Sequence, residues 1–276
     1  MRHAIVAMTL LFLVVLAGCA GLNAKPSEAD TASQQYLFTN EKGDQVHLDP
    51  RTLKVADNVV LADIRYTAAT PGENGVKFSV WKLQLKPDER LVKLLSITGY
   101  NAAGEKIADA SMDEKEEVVK AEGYSYYSFV SPAGPLAKEF QGIIDYCLAK
   151  KLPIRTTTPP YITVDYRFAG SYPTALLFFD PASVKLEEDS LFFTARVVYD
   201  QETPKGVRYE VGQMELKPLE NRFRGVSRVA YNSAGQEVAR DTGTEGWTKI
   251  SQGSIVQALL NQVHEYCHEN NIPIPD

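Results

Sequence analysis
Tyr231-Asn232-Ser233-Ala234-Gly235 repeats Tyr100-Asn101-Ala102-Ala103-Gly104 at an offset of 131 residues. Asparagine and glycine supply the chemistry of a tight turn, and each pentapeptide lies between two strand-like runs. The match spreads outward without a gap. Asp49-Pro50 falls on Asp180-Pro181, Lys54 on Lys185, Arg65 on Arg196, Gly75-Val76 on Gly206-Val207, and Leu85-Lys86-Pro87 on Leu216-Lys217-Pro218. Past the turn the offset drops to 120: Tyr127 meets Trp247, Ser131 meets Ser251, Tyr146-Cys147 meets Tyr266-Cys267, and Pro153-Ile154 meets Pro273-Ile274. The first copy therefore holds eleven residues more, around Asp113-Glu114-Lys115-Glu116-Glu117. So many ordered matches predict a tandem duplication. The copies span residues 36–154 and 161–276, and Arg155 to Pro160 link them.

Each copy reads as strands followed by a helix. Leu191-Phe192-Phe193-Thr194-Ala195-Arg196-Val197-Val198-Tyr199 is rich in β-branched and aromatic residues, as a strand requires. From Ser251 to Asn270 the period changes, and Val256, Leu259, Leu260, Val263 and Cys267 share one helical face. Leu136, Phe140, Ile143 and Cys147 repeat that face in the first copy, where Ser131-Pro132 suits a helix start. The expected fold class is α+β: two repeats, each an antiparallel sheet with a C-terminal amphipathic helix packed on it.

At the other end of the chain, Arg2 precedes an apolar stretch from Ala4 to Leu16, followed by Ala17-Gly18-Cys19. A charged start, a short apolar core and small residues at its end read as an export signal over residues 1–18, too short to span a membrane. Leu16-Ala17-Gly18-Cys19 resembles the lipobox of bacterial lipoproteins. That resemblance implies a diacylglycerol on the Cys19 sulfur, cleavage before it, and acylation of the new amino group. Residues 19–35, with Lys25-Pro26-Ser27-Glu28-Ala29-Asp30, read as a flexible tether with a reach of about 20–25 Å. Ala20 stands where aspartate is associated with inner-membrane retention in enteric bacteria. The expected location is therefore the outer membrane or cell surface rather than the inner membrane.

Without residues 1–18, which carry only Arg2 of the basic residues, 28 Lys+Arg face 35 Asp+Glu. An acidic exported chain without an arginine-rich arm is a poor partner for nucleic acid. Cys147 and Cys267 remain besides Cys19; in an oxidising compartment they could bridge, or each could stay a buried free thiol in its helix. No Gly-rich phosphate loop, nucleophile elbow or Cys-x-x-Cys pair is present, so neither a cofactor nor a catalytic set is expected.

Asp180-Pro181-Ala182-Ser183-Val184, Tyr231 to Val238, Trp247, Ser251 to Ser254 and Cys267 together resemble the surface-adhesin protein E family. The resemblance covers most of each copy. It implies an antiparallel sheet with a helix packed on it, in an envelope lipoprotein able to bind host molecules. The chain departs from that pattern in holding two copies. It also lacks, near Leu85 and Leu216, the cysteine that many such domains pair with the helical one.

Differences between the copies point to candidate binding residues. Arg222, Arg224 and Arg228 alternate along one predicted strand, their counterparts being Leu91, Lys93 and Ile97, with Leu95 sharing that face. Such a row suits a sulfate- or carboxylate-bearing glycan or protein, or else forms a solvated face balanced by Glu215 or Glu220. Ile144 and Leu148 stand where the second copy has His264 and His268, giving the first copy more apolar surface for an inter-repeat interface or a partner. In the extra segment of the first copy, Tyr124 and Tyr126 suit a contact surface, whereas Tyr127, opposite Trp247, is expected in the core.

His264-Glu265-Tyr266-Cys267-His268 matches the H-E-x-x-H helix of zinc proteases, in which two histidines bind metal and the glutamate activates water. The sister segment reads Ile144-Asp145-Tyr146-Cys147-Leu148, so the shared feature is Tyr-Cys rather than a metal set. The expected function is non-catalytic binding by a lipid-anchored envelope protein, with adhesion to host or matrix molecules foremost. A periplasm-facing accessory lipoprotein is the alternative, and a zinc hydrolase comes third.

Overall fold
Strand-forming runs separated by short connections, from the two residues Asp57-Asn58 to the ten between Thr67 and Phe78, lay each half of the chain into an antiparallel sheet. The computed structural model describes residues 33–274 apart from 73, 112–126 and 244–245. These residues group into two units, the first from 33–111 and 133–155, the second from 127–132 and 156–274. Both are dominated by antiparallel strands and carry one helix each of ten or more residues, an α+β composition.

In the first unit β1 (Gln35–Thr39), β2 (Gln45–Ala56), β3 (Val59–Thr67), β4 (Phe78–Lys86), β5 (Leu91–Tyr100) and β6 (Lys106–Ser111) lie side by side in chain order. Helix α1 (Ala137–Ala149) follows. The second unit contains the short β7 (Ser128–Phe129), then β8 (Arg167–Tyr172), β9 (Ala175–Phe179), β10 (Lys185–Glu187), β11 (Ser190–Tyr199), β12 (Tyr209–Lys217), β13 (Arg222–Tyr231), β14 (Glu237–Asp241), β15 (Thr248–Lys249) and α2 (Ile255–Glu269). Its sheet order is β14-β13-β12-β11-β9-β8, with β10 also paired to β11 and β15 to β13.

The turns explain why the strands stop where they do. The Asn101 side-chain oxygen Oδ1 accepts from the backbone N–H groups of Ala103 and Glu105, both at 2.9 Å. Asn232 does the same for Ala234 and Gln236, at 3.0 and 2.9 Å. Gly104 and Gly235 complete these turns at φ +75° and +79°, where a side chain would be strained. Flanking each turn, a ring pair stacks at 4.7 Å: Phe78 on Tyr100 and Tyr209 on Tyr231. Arg65 lies over Phe78 and Arg196 over Tyr209.

One buried cluster in the second unit gathers Phe179, Leu191, Phe193 and Leu216 from strands with Leu259, Leu260, Val263 and Cys267 from α2. Burying each large apolar side chain contributes ~1.5–3 kcal/mol, which holds the helical face read from the sequence in place. In the first unit α1 buries Phe140, Ile143, Ile144 and Cys147, while Leu148 is exposed. The Tyr66 hydroxyl donates to Glu139 of α1 at 2.8 Å, a polar tie inside otherwise apolar packing.

The start of α1 differs from the expectation at Ser131-Pro132. The helix begins at Ala137, without a side-chain cap. The reason is Pro135, whose ring keeps Gly134 from helical backbone, so the segment turns before the helix can begin. By contrast, α2 is capped by Ser254, whose hydroxyl oxygen accepts from Gln257 N at 3.2 Å. No helix among the described residues is long and apolar enough to cross a membrane.

Candidate binding surface of the second unit
The strands β12 and β13 carry the candidate residues, and their register corrects the expected arginine row. Opposite Gln213 and Met214 the register slips, so Val226 has no partner while Gly225 and Ser227 do. An extra residue reverses the alternation of every side chain beyond it. Arg222 and Arg224 therefore share a face with Glu215 and Lys217, whereas Arg228 stands on the opposite face with Gly212. The first unit slips at the matching place, between Lys82 and Leu83, so Leu91 and Lys93 share a face that Ile97 does not, and Leu95 is the unpartnered residue.

On the first of these faces the arginines are engaged. Arg224 forms an ion pair with buried Glu215 and lies 4.5 Å from the centre of the Trp247 ring. Lys217 approaches the same ring at 5.4 Å and pairs with Asp189 and Glu220 at 3.3 and 3.2 Å. Arg222 reaches Glu220 at 3.8 Å. Trp247 thus lies against two cations already balanced by carboxylates, leaving little free charge for an anionic ligand.

The opposite face opens a shallow groove of about 180 Å³. Gly212 and Gly225 leave its floor without side chains, and Ala195, Val197 and Met214 make it apolar. Arg228, Glu210 and Asp241 stand around it. Arg228 is 53% exposed and pairs with Glu210 at 3.8 Å, the same separation as Arg222 from Glu220. Burial, and then the Glu210 carboxylate beside it, push the Tyr199 phenol up from its ordinary value. An ideal Cβ at Gly212 would lie 2.8 Å from the Ser227 carbonyl oxygen, so any side chain there would force the strands to shift.

The first unit shows what the same sheet positions can hold. Cross-strand register places Trp81 where Gly212 stands, Tyr66 where Val197 stands, and Ile97 where Arg228 stands. The Trp81 and Tyr66 rings pack at 4.7 Å, and the indole N–H donates to the Ser79 hydroxyl at 3.0 Å.

The sequence reading missed this groove, although glycines inside strand runs are the recognised mark of a bulge or a close backbone approach. Cys19, Tyr124, Tyr126 and the Asp113–Glu117 segment lie outside the described residues. Tyr127 is buried, as expected from its alignment with Trp247.

Cys147 and Cys267 are both buried free thiols. Burial pushes the Cys147 thiol up to about 11 and raises Cys267 as well. Such thiols are poor nucleophiles, because the thiolate is the reactive form.

The H-E-x-x-H segment occupies the last turns of α2. His264 is half-buried, its Nε2 without a hydrogen-bond partner, while His268 is exposed. Glu265 is ion-paired with Arg167 at 3.8 Å, and Arg167 also holds Glu269. Among the described residues no group of three or more His, Cys, Asp or Glu side chains is placed to hold a metal.

No protein-family model matches this chain, and no curated protein is detectably similar to it.

Proposed function
We propose that this chain is a lipid-anchored envelope protein with a non-catalytic binding role, adhesion to host or matrix molecules being the reading its features favour. Its body is two copies of one design, an antiparallel sheet with a C-terminal helix packed on it. The shared sheet order, Asn turns, ring stacks and register slips support the duplication. The cluster joining α2 to the strands supports the packing. Leu16-Ala17-Gly18-Cys19 supports the anchor.

The observation that carries the binding role is the divergence of one sheet face. Where the first unit places Trp81 and Tyr66, the second leaves an apolar groove rimmed by charge.

Two measurements on cells and purified chain test this role. External protease should cleave the chain on intact cells, and the purified chain should bind an immobilised matrix component saturably. Full protection from protease, with no saturable binding, would favour the periplasm-facing accessory role instead. Stoichiometric zinc, with hydrolytic activity lost in His264→Ala, would replace both by the hydrolase reading.

A further inference from the structure
We infer that the groove on the β11–β12–β13 face is a slot for an aromatic side chain of a partner protein, presented beside a basic residue. This rests on the binding role proposed above and names the chemistry of its partner.

Three observations converge. The floor is bare backbone and small apolar side chains, from Gly212, Gly225, Ala195 and Val197, which suits the face of a ring. The first unit carries an indole and a phenol at the equivalent sheet positions, packed at 4.7 Å, so this architecture accommodates an aromatic ring there. The rim then sets the sign of the neighbour. Glu210 and Asp241 contribute two carboxylates against the single guanidinium of Arg228. Arg228 stands directly across from Asp241 in the β13–β14 register and pairs with Glu210 at 3.8 Å, so it balances one of the two carboxylates. One negative charge is left over, and a lysine or arginine next to the inserted ring satisfies it. The ring gives affinity by removing apolar surface from water; the cation gives orientation and selectivity.

The test uses the full chain in mild detergent and blocked tripeptides: Lys-Trp-Lys, Glu-Trp-Glu and Lys-Ala-Lys, with 5-fluorotryptophan observed by fluorine NMR and heats by calorimetry. Lys-Trp-Lys should bind saturably. Glu-Trp-Glu should bind roughly threefold to tenfold more weakly, a difference that shrinks in high salt. Lys-Ala-Lys should bind at least about tenfold more weakly, since it buries no ring.

Val197→Tyr, which places in the groove the residue its sister strand carries, should abolish Lys-Trp-Lys binding. Glu210→Gln should remove most of the preference for lysine over glutamate flanks, which keeps the test informative if the tyrosine variant fails to fold. Equal affinity for Lys-Trp-Lys and Lys-Ala-Lys, unchanged binding by folded Val197→Tyr, or preference for Glu-Trp-Glu would each overturn the inference. So would a concentration-dependent dimer abolished by Val197→Tyr, which would assign the groove to a second copy of the chain. If matrix binding persists while the tripeptides fail, the slot is wrong and the binding role stands. If both fail, both are wrong.

Discussion

Tyr66 and Glu139 show how a single polar pair is tolerated in an apolar contact. Glu139 is buried, one of its oxygens accepts from Tyr66 at 2.8 Å, and the other has no partner. Burial, then the Glu139 carboxylate, push the Tyr66 phenol far above its ordinary range, so it remains a donor at every physiological pH. Tyr66→Phe removes that donor and leaves a carboxylate buried among apolar groups, with an expected loss of ~1–3 kcal/mol. The corresponding position of α2 is Leu259, so adding Glu139→Leu should recover most of the loss in urea denaturation. No recovery would mean that the pair does more than satisfy itself.

Two histidines set the pH response near neutrality. His47 is lowered by burial and then by Arg65; His264 is lowered by burial and then by His268. A histidine lowered in the folded state binds fewer protons there than in the unfolded chain, so stability rises with pH through that window. It is complete above the unfolded value of about 6.5 and is lost as pH falls from there toward the folded values. Asp63 and Asp88, raised by burial, act in the opposite sense, but their window opens at the carboxylate range near ~4. The urea midpoint should therefore drop between pH 7.5 and pH 6, and His47→Gln with His264→Gln should flatten that drop. An unchanged slope would assign the response to other groups.

At the scale of elements, periodicity was informative and register was not. The apolar run Leu191–Tyr199 is strand β11 within one residue, and the face of Leu259, Leu260, Val263 and Cys267 is the buried face of α2. Alternation failed along β13, because a bulge shifts the register without changing side-chain spacing, its one local sign being Gly225 beside the unpaired Val226. That one residue moved Arg228 to the groove side beside Glu210 and left Arg222 and Arg224 on the other face beside Glu220 and Glu215. Helix ends divide in the same way. Ser254→Ala removes a real cap and should cost ~1 kcal/mol. Ser131→Ala, exposed and well ahead of α1, should stay within about 0.5 kcal/mol of the parent. Equal losses would mean that residues before Ala137 cap α1 after all.

At the scale of the whole molecule, the proposed function joins an N-terminal lipid anchor to two units that differ on one sheet face. The first unit fills its sheet face with Trp81 and Tyr66, whereas the second leaves the groove. The anchor reading rests on a local pattern, Leu16-Ala17-Gly18-Cys19. The groove had only a weak local signal, the in-strand Gly212 and Gly225, because its shape depends on how two neighbouring strands pair. The anchor can be tested separately from the body, since the described fold begins at Ser33. Each buried methylene contributes ~0.8 kcal/mol and one acyl chain holds only marginally, so durable anchoring requires the several chains the lipobox implies. If Cys19 carries the proposed lipid, Cys19→Ala removes the thioether site and the cleavage that depends on it. The variant should take up no labelled palmitate and should keep residues 1–18, read as a higher intact mass, while its far-ultraviolet circular dichroism matches the parent. Label retained on Cys19→Ala would sink the anchor and, with it, the reason for placing the groove at an envelope surface. Loss of label with matrix binding intact would show that the lipid only delivers a body that recognises its partner unaided.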